Sequence, residues 1–274
     1  MKKIAVVGLG IIGGSICGAL TKAHYHVDGL DTNETSVTLA IEKGYIQAKA
    51  NNLADYDVVF LALPPQATIA YLQTAIFKQN ALVVDICGVK SAVEQAVYEQ
   101  KRTYRYVGCH PMAGKETSGI QSATPTLFQK ANLIITWAPQ TQEKDVAEVK
   151  EYATAMGFGN IVECTAAMHD EKIALTSQLA HIVSNAYVKS PNVQNCDGFT
   201  GGSFQDMTRI AGVDEYIWTP LYMYNRENIL CELDGLIEQL SVYRNALKNG
   251  DEEQLSNALK EGRKIRETIR RNND

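Results

Sequence analysis

A base, a hydroxyl and a guanidinium stand out in this sequence among residues that could do chemistry. His110 precedes Pro111-Met112-Ala113-Gly114-Lys115, and an imidazole with an ordinary pKa of about 6.5 accepts a proton at neutral pH. Ser91 closes the run Asp85-Ile86-Cys87-Gly88-Val89-Lys90-Ser91, which places a hydroxyl at the same edge of the sheet as His110. Ser177 and His181 are four apart, hence on one face of a helix, where a polar stripe can line a cleft. A hydrogen-bonded core histidine is the alternative for His181. Arg209, in Asp206-Met207-Thr208-Arg209-Ile210-Ala211, carries the planar fork that matches a carboxylate bidentately; an internal salt bridge to Asp206 is its alternative.

A nucleotide-binding turn lies at the start of the chain. Gly8-Leu9-Gly10-Ile11-Ile12-Gly13 follows one β-branched run and opens a helix. Gly8 suits the tight turn, Gly10 the close approach of backbone to pyrophosphate, and Gly13 the packing of helix on strand. The amides at Ile11 and Ile12 lie at the positive end of the helix dipole, where phosphates are received. Asp31 follows Gly13 by 18 residues and can accept hydrogen bonds from an adenosine ribose. Its charge repels a 2'-phosphate, and Thr32-Asn33 supplies no arginine to offset it, so NAD is expected rather than NADP. A turn cap before Asn33 is the competing role for Asp31. Thr32, Leu63 and Ser91 complete the expected cofactor contacts. Tyr45-x-x-x-Lys49 imitates the catalytic pair of short-chain dehydrogenases but falls too early in the chain.

Periodicity shows which strands and helices carry these groups. Strands are expected at Ile4 to Val7, Val27 to Leu30, Val58 to Leu63, Leu82 to Ile86, Arg105 to Val107 or on to Cys109 with His110 ending it, Leu133 to Trp137 and Ile161 to Glu163. Helix-like segments at Val93 to Gln100 and Glu143 to Met156 fall among them. This alternation predicts a mostly parallel α/β sheet with helical crossovers, ending near Cys164. Beyond it, Met168 to Val188 and Ile217 to Leu247 carry apolar residues every three or four positions. Two domains are therefore expected, 1–164 for nucleotide and 165–274 all-helical. Ile229, Leu230, Leu233, Leu236, Ile237, Leu240, Tyr243 and Leu247 form a wide stripe on an expected helix of about 30 residues, either core or dimer seam. The tail from Glu252 is expected to turn Leu255, Leu259, Ile265 and Ile269 inward and to leave its basic end solvated.

Composition bounds the partners. The 274 residues are 45% hydrophobic and 21% charged, which excludes a disordered chain. Lysine and arginine number 26 against 31 acidic residues, a net charge of -5, so no global basic field exists for nucleic acid or a membrane surface. An anionic substrate must be met by local cations. Six scattered cysteines without a Cys-x-x-Cys pair read as reduced thiols of a cytoplasmic protein, and no metal site is expected. The charged start and apolar run to Ile16 imitate a signal peptide, but glycines at nucleotide-turn spacing argue against one. No repeat or appended regulatory module is expected.

Together, Asp-x-x-Gly/Cys-x-Lys-Ser ending at Ser91, with Gly88 at the Gly/Cys position, His-Pro-Met-Ala-Gly at 110–114, Ser-x-Leu-x-His at 177–181 and Asp-x-Thr-Arg-Ile-Ala at 206–211 resemble the prephenate dehydrogenase family of tyrosine biosynthesis. The resemblance spans nearly the whole chain in matching order. Ala180 stands where the family usually has proline. The resemblance implies a Rossmann domain, a helical domain that makes a homodimer, and a small-molecule substrate between them. It implies NAD-dependent oxidative decarboxylation of prephenate, with His110 taking the ring hydroxyl proton and Ser91 orienting hydroxyl and imidazole. Arg209 would hold the side-chain carboxylate, with His181, Ser177 and Lys115 near other polar groups. Trp218 sits where a similar tryptophan in relatives helps close the partner subunit's site. Arogenate dehydrogenase shares the chemistry and is the nearest rival. A β-hydroxyacid dehydrogenase would need a lysine on the first interdomain helix, where Ser177 and His181 stand instead and which Lys172 and Lys189 do not restore. An NAD-sensing binding protein would leave His110 and Ser91 unexplained.

Overall fold

A computed structural model describes residues 2–115 and 117–271 of the chain. Its first half alternates β1 (Ile4–Val7), α1 (Ile11–Lys22), β2 (Val27–Leu30), α2 (Glu34–Glu42), β3 (Val58–Leu61), α3 (Pro65–Thr74), β4 (Leu82–Asp85), α4 (Ser91–Tyr98) and β5 (Arg105–Pro111). It continues through β6 (Asn132–Thr136), α5 (Glu143–Met156) and β7 (Asn160–Cys164). The seven strands form one sheet in the order β2-β1-β3-β4-β5-β6-β7. All neighbours are parallel except β5 and β6. Strands β1, β3 and β4 are buried on both faces because helices cover both sides, which is why they read as unbroken apolar runs. Alternate residues serve opposite cores: Ile4, Val6, Phe60 and Val84 face one, Ala5, Val7, Val59 and Val83 the other.

The strand order reverses direction between β1 and β3, and ligands of open α/β sheets bind outside the carboxyl ends of strands at such a point. The Gly8–Gly13 turn and Leu63 therefore flank one crevice. Several expected boundaries shift. β3 and β4 end at Leu61 and Asp85, so Leu63 and Ile86 lie in the turns that lead to the helices. β5 runs on through Pro111, which makes His110 an in-strand residue. The cause is the antiparallel partner: His110 pairs with Ile134 and Pro111 with Leu133.

After Cys164 the described residues contain no strand. Helix α6 (Ala166–Ile173), capped by the Thr165 hydroxyl, runs into a π-helical turn at Ala174–Leu179 and then α7 (Ala180–Tyr187). Then come α8 (Gly202–Thr208) and α9 (Glu215–Tyr224), the latter capped by Asp214. The single helix expected from Ile217 to Leu247 does not form: α9 stops and α10 (Arg226–Asn249) begins after Asn225. Asn225 leaves helical geometry at φ -118°, ψ 20°. Its buried side-chain amide donates to the Asp170 carbonyl at 2.8 Å and to Gln178 Oε1 at 2.6 Å. That pair of tertiary bonds outweighs continued helix, a choice that periodicity does not reveal.

The chain divides into two compact units, one reaching Asn225 and one starting at Arg226. In the second unit α10 pairs with α11 (Glu252–Arg271) across a turn at Gly250, whose φ of +64° favours glycine. The Tyr243 hydroxyl donates to the Ala258 carbonyl. Of the apolar tail residues expected inward, Leu255 is partly covered, whereas Leu259, Ile265 and Ile269 are exposed. Leu230 and Ile237 are exposed as well, and Leu240 and Leu247 are 57% and 67% exposed. Two helices bury one seam, and this apolar stripe is wider than that seam. No helix among the described residues is long and apolar enough to cross a membrane.

Candidate active site

The glycine-rich turn has the geometry that its residue types predict. Gly8 adopts φ +89°, and a Cβ there would fall 2.3 Å from the Ala62 carbonyl oxygen. A Cβ on Gly13 would fall 1.8 Å from the Gly8 carbonyl oxygen, so only glycine lets α1 start this close to β1. Gly10 differs, since a Cβ there would meet no protein atom within 4 Å. The space is open toward whatever sits before the helix. No side chain caps α1 and no acidic residue occupies its first turn, so the amides at Ile11 and Ile12 and the dipole remain available to an anion. Asp31 ties the turn together: Leu9 N donates to Oδ2 at 2.7 Å and Asn33 N to Oδ1 at 2.8 Å. The capping role and the ribose role are compatible, because each carboxylate oxygen has a second lone pair. Thr32 is exposed beside it, and the Leu63 side chain lies against Gly8.

A cleft of about 600 Å³ opens beside this turn, within the range of small-molecule sites. Its walls bring together Ile11, His110, Lys115, Ser177, His181, Arg209 and Trp218, which the sequence scatters over some two hundred positions. His181 Nδ1–H donates to the Ser177 carbonyl at 2.9 Å, which turns Nε2 outward. The π-helical turn places Ser177 one wide turn before His181, and such turns recur at functional sites. Trp218 packs against His181 in a tilted arrangement with ring centroids 4.1 Å apart, in the cleft of its own chain. Arg209 ends α8 and is exposed along the cleft wall. The Lys115 ammonium also lies at the cleft, where it donates to the Ser122 carbonyl at 3.2 Å. Tyr45 and Lys49, by contrast, are engaged with the Ala123 carbonyl and Glu34.

Ser91 is not among the cleft's wall residues. Its amide donates to Asp170 Oδ2 at 2.8 Å, and the Lys90 amide donates to Oδ1 at the same distance, so Asp170 caps the start of α4 from another helix. The Ser91 side chain also helps to hold this carboxyl below the usual carboxylate range. Asp170 Oδ1 further accepts from His169 Nδ1 at 2.8 Å, and His169 Nε2 meets His110 Nδ1 at 2.8 Å. Burial, then the neighbouring His169 and the Lys90 ammonium, hold the His110 pKa well below the usual histidine value. His169 is held low as well, by burial and Lys90 against the opposing pull of Asp170. Both imidazoles are therefore neutral at pH 7.

Beneath them lies a fully buried ion pair, Lys90 with Asp85. Lys90 Nζ also donates to the Cys109 carbonyl at 2.7 Å, directly before His110. Asp85 accepts from Tyr106 Oη at 2.6 Å and Cys87 N at 2.9 Å. The Cys109 thiol is pushed well up by burial, so no thiolate is available beside His110. Sequence reasoning overlooked His169, Asp170 and the Asp85–Lys90 pair. The signal within reach was the adjacent His169-Asp170 just after a threonine N-cap; what they touch lies about 60 to 80 residues away, and no local pattern carries it.

Two family models match nearly end to end: "Prephenate dehydrogenase, nucleotide-binding domain" over residues 16–162 and "Prephenate dehydrogenase, dimerization domain" over residues 165–261. Prephenate dehydrogenase of Bacillus subtilis is 28% identical over 97% of this chain and 76% of its own length. The crystal structure of prephenate dehydrogenase from A. aeolicus, in complex with hydroxyphenyl propionate and NAD+, superposes with a TM-score of 0.84 at 27% identity, covering 98% of each chain. Arogenate dehydrogenase from Synechocystis superposes with a TM-score of 0.79 at 25% identity, covering 97% of this chain and 99% of that one. With its nucleotide turn, its histidine-lined cleft and matches to both parts of one family, the chain belongs to the prephenate dehydrogenases.

Proposed function

We propose that this protein carries out the NAD-dependent oxidative decarboxylation of prephenate to 4-hydroxyphenylpyruvate, a step of tyrosine biosynthesis. The observation that carries the reading is one cleft that joins a neutral histidine, an arginine and the open end of the nucleotide turn. NAD+ fits this turn: Gly10 leaves space, the α1 amides are uncapped, and Asp31 keeps lone pairs for ribose hydroxyls while repelling a 2'-phosphate. Bound there, NAD+ supplies the hydride acceptor.

His110 takes the ring hydroxyl proton as the hydride leaves the same carbon. Loss of the ring carboxylate as carbon dioxide returns an electron pair to the ring, and the proton goes back from His110 to the phenolate oxygen. The balance is prephenate plus NAD+ giving 4-hydroxyphenylpyruvate, carbon dioxide and NADH, with no net proton. Arg209 clamps the side-chain carboxylate, and His181, Ser177, Lys115 and Trp218 position the remainder. Ser91 acts on the hydroxyl end, at the start of the helix that Asp170 ties to His169 and His110. Gly8, Gly10, Ile11, Ile12, Gly13, Asp31, Thr32, Leu63 and Ser91 contact the cofactor. Functionally the chain divides at residue 164, nucleotide binding before it and substrate binding and dimerisation after it. The exposed stripe of α10 and α11 is the homodimer seam. Six free thiols support a cytoplasmic place of action.

The test is NADH absorbance with purified protein, offering prephenate or arogenate with NAD+ or NADP+. Rapid NADH formation with prephenate is expected; preference for arogenate would move the protein to that substrate with the same residue roles. His110→Asn should lower kcat about 10²–10⁴-fold, and turnover near that of the unmodified enzyme would overturn the assignment.

A further inference from the structure

We propose that Asp170 and His169 form a buried relay that fixes the tautomer of His110, leaving Nε2 of His110 as the bare, proton-accepting nitrogen at the cleft. The inference rests on His110 as the base of the proposed reaction, but the hydrogen positions it assigns hold with or without a substrate.

The assignment follows by elimination from the fixed end. Burial alone would raise the Asp170 pKa, yet the hydrogen bonds from His169, Ser91 and Lys90 hold it below the usual carboxylate value, so the group is an anion with no hydrogen to give. The hydrogen in its 2.8 Å bond to His169 therefore sits on His169 Nδ1. A neutral imidazole carries one N–H, so His169 Nε2 is bare. That bare nitrogen lies 2.8 Å from His110 Nδ1. Two lone pairs at this distance would repel, so His110 Nδ1 carries the hydrogen and His110 Nε2 is bare. The Nε2 edge is the one toward the cleft: a Cβ on Gly88, a wall residue, would lie 3.7 Å from it.

One consequence is that the base is set before anything binds. A second is charge placement: when His110 gains a proton, its Nδ1–H bond to His169 strengthens and the Asp170 carboxylate faces the new positive charge through one imidazole. His169 never touches substrate; it is a positioning residue. It is itself held in place, being fully buried on α6 beside the capped start of α4.

Nitrogen NMR of protein with 15N-labelled histidine, free of substrate at neutral pH, reads the tautomers directly, with His110 assigned by its loss in His110→Asn. The chain has only five histidines. The expected result is a protonated Nδ1 and an unprotonated Nε2 on His110; hydrogen on Nε2 would overturn the proposal. Asp170→Asn keeps an amide oxygen for the Lys90 amide and His169 Nδ1–H but removes the negative charge that faces protonated His110 through His169, and should lower kcat about 10²–10⁴-fold with KM changed by less than about threefold. An unchanged kcat in a folded variant would refute it. His169→Gln, whose amide oxygen can still accept from His110 Nδ1, should keep more activity than His169→Leu; equal loss in both would count against positioning. If Asp170→Asn does not fold, the spectrum of the unmodified protein decides. The expected tautomer in a protein that turns over neither prephenate nor arogenate would sink the proposed function and leave the relay standing.

Discussion

Lys90→Met should cost this protein about 4 kcal/mol of stability, by the reasoning that a broken buried ion pair loses about 3–5 kcal/mol and an orphaned carbonyl adds about 1. Lys90 and Asp85 are both wholly inaccessible, so no water replaces the missing ammonium. Two hydrogen bonds remain on Asp85, from Tyr106 Oη and Cys87 N, and they keep the loss from the top of the range. The Cys109 carbonyl loses its Lys90 donor and has only the ladder neighbourhood of β5 to turn to. Methionine fills nearly the same volume, so cavity formation contributes little. The assay is urea unfolding followed by far-ultraviolet circular dichroism at one fixed protomer concentration, because assembly shifts apparent stability by mass action. The double variant Lys90→Met, Asp85→Asn should recover about 2–3 kcal/mol, since neither charge is then buried alone. A single-variant loss below about 1 kcal/mol, or strict additivity in the double variant, would refute the claim that this pair anchors the end of β5 beneath His110.

Other outcomes follow from the site. Arg209→Ala should raise the KM for substrate about 30-fold or more with kcat little changed, the effect of losing a charge partner worth about 2–5 kcal/mol; steady-state kinetics checks this, and an unchanged KM would remove Arg209 from substrate binding. Because burial, His169 and Lys90 depress the His110 pKa, with Asp170 opposing, the neutral base persists at and somewhat below ordinary histidine pH. The value of kcat/KM should therefore stay flat from about pH 8 down through 6.5 and fall only further into acid. A midpoint at or above about 6.5 would contradict the desolvated geometry. The same sign applies to stability: His110 and His169 are depressed in the folded state, so the unfolded chain binds protons first. Urea midpoints should then drop as pH falls below about 6.5. In the second unit, Leu240→Glu with Leu247→Glu should convert a dimer to monomers in sedimentation velocity at micromolar protein; a stable monomer without any substitution would defeat the seam reading.

Much was written locally. The parallel sheet was readable because buried strands such as Leu82–Asp85 are continuous apolar runs with helical segments between them. The nucleotide turn was readable because steric demand falls on single residues, Gly8 by its backbone angle and Gly13 by contact with Gly8. Helix α5 matched its expected bounds because its apolar period, acidic first turn and Gly157 stop signal all agree. His110, His181 and Arg209 were legible as chemistry-bearing types, and the structure carries them to one cleft.

Tertiary structure alone decided the rest, wherever the outcome turned on a partner far away in sequence. The long helix from Ile217 breaks because Asn225 finds Asp170 and Gln178, and no period within the helix encodes those partners. Strand β5 carries His110 inside the sheet because β6 arrives antiparallel beside it. The apolar face of α11 stays exposed although its spacing reads as buried, since spacing defines a face and not what covers it. Above all, Asp170 joins α4, His169 and His110 across about 60 to 80 residues. Residue types set which groups are capable of charge and which backbone can turn; their protonation state and direction depend on burial and on neighbours, and these exist only once the chain is folded.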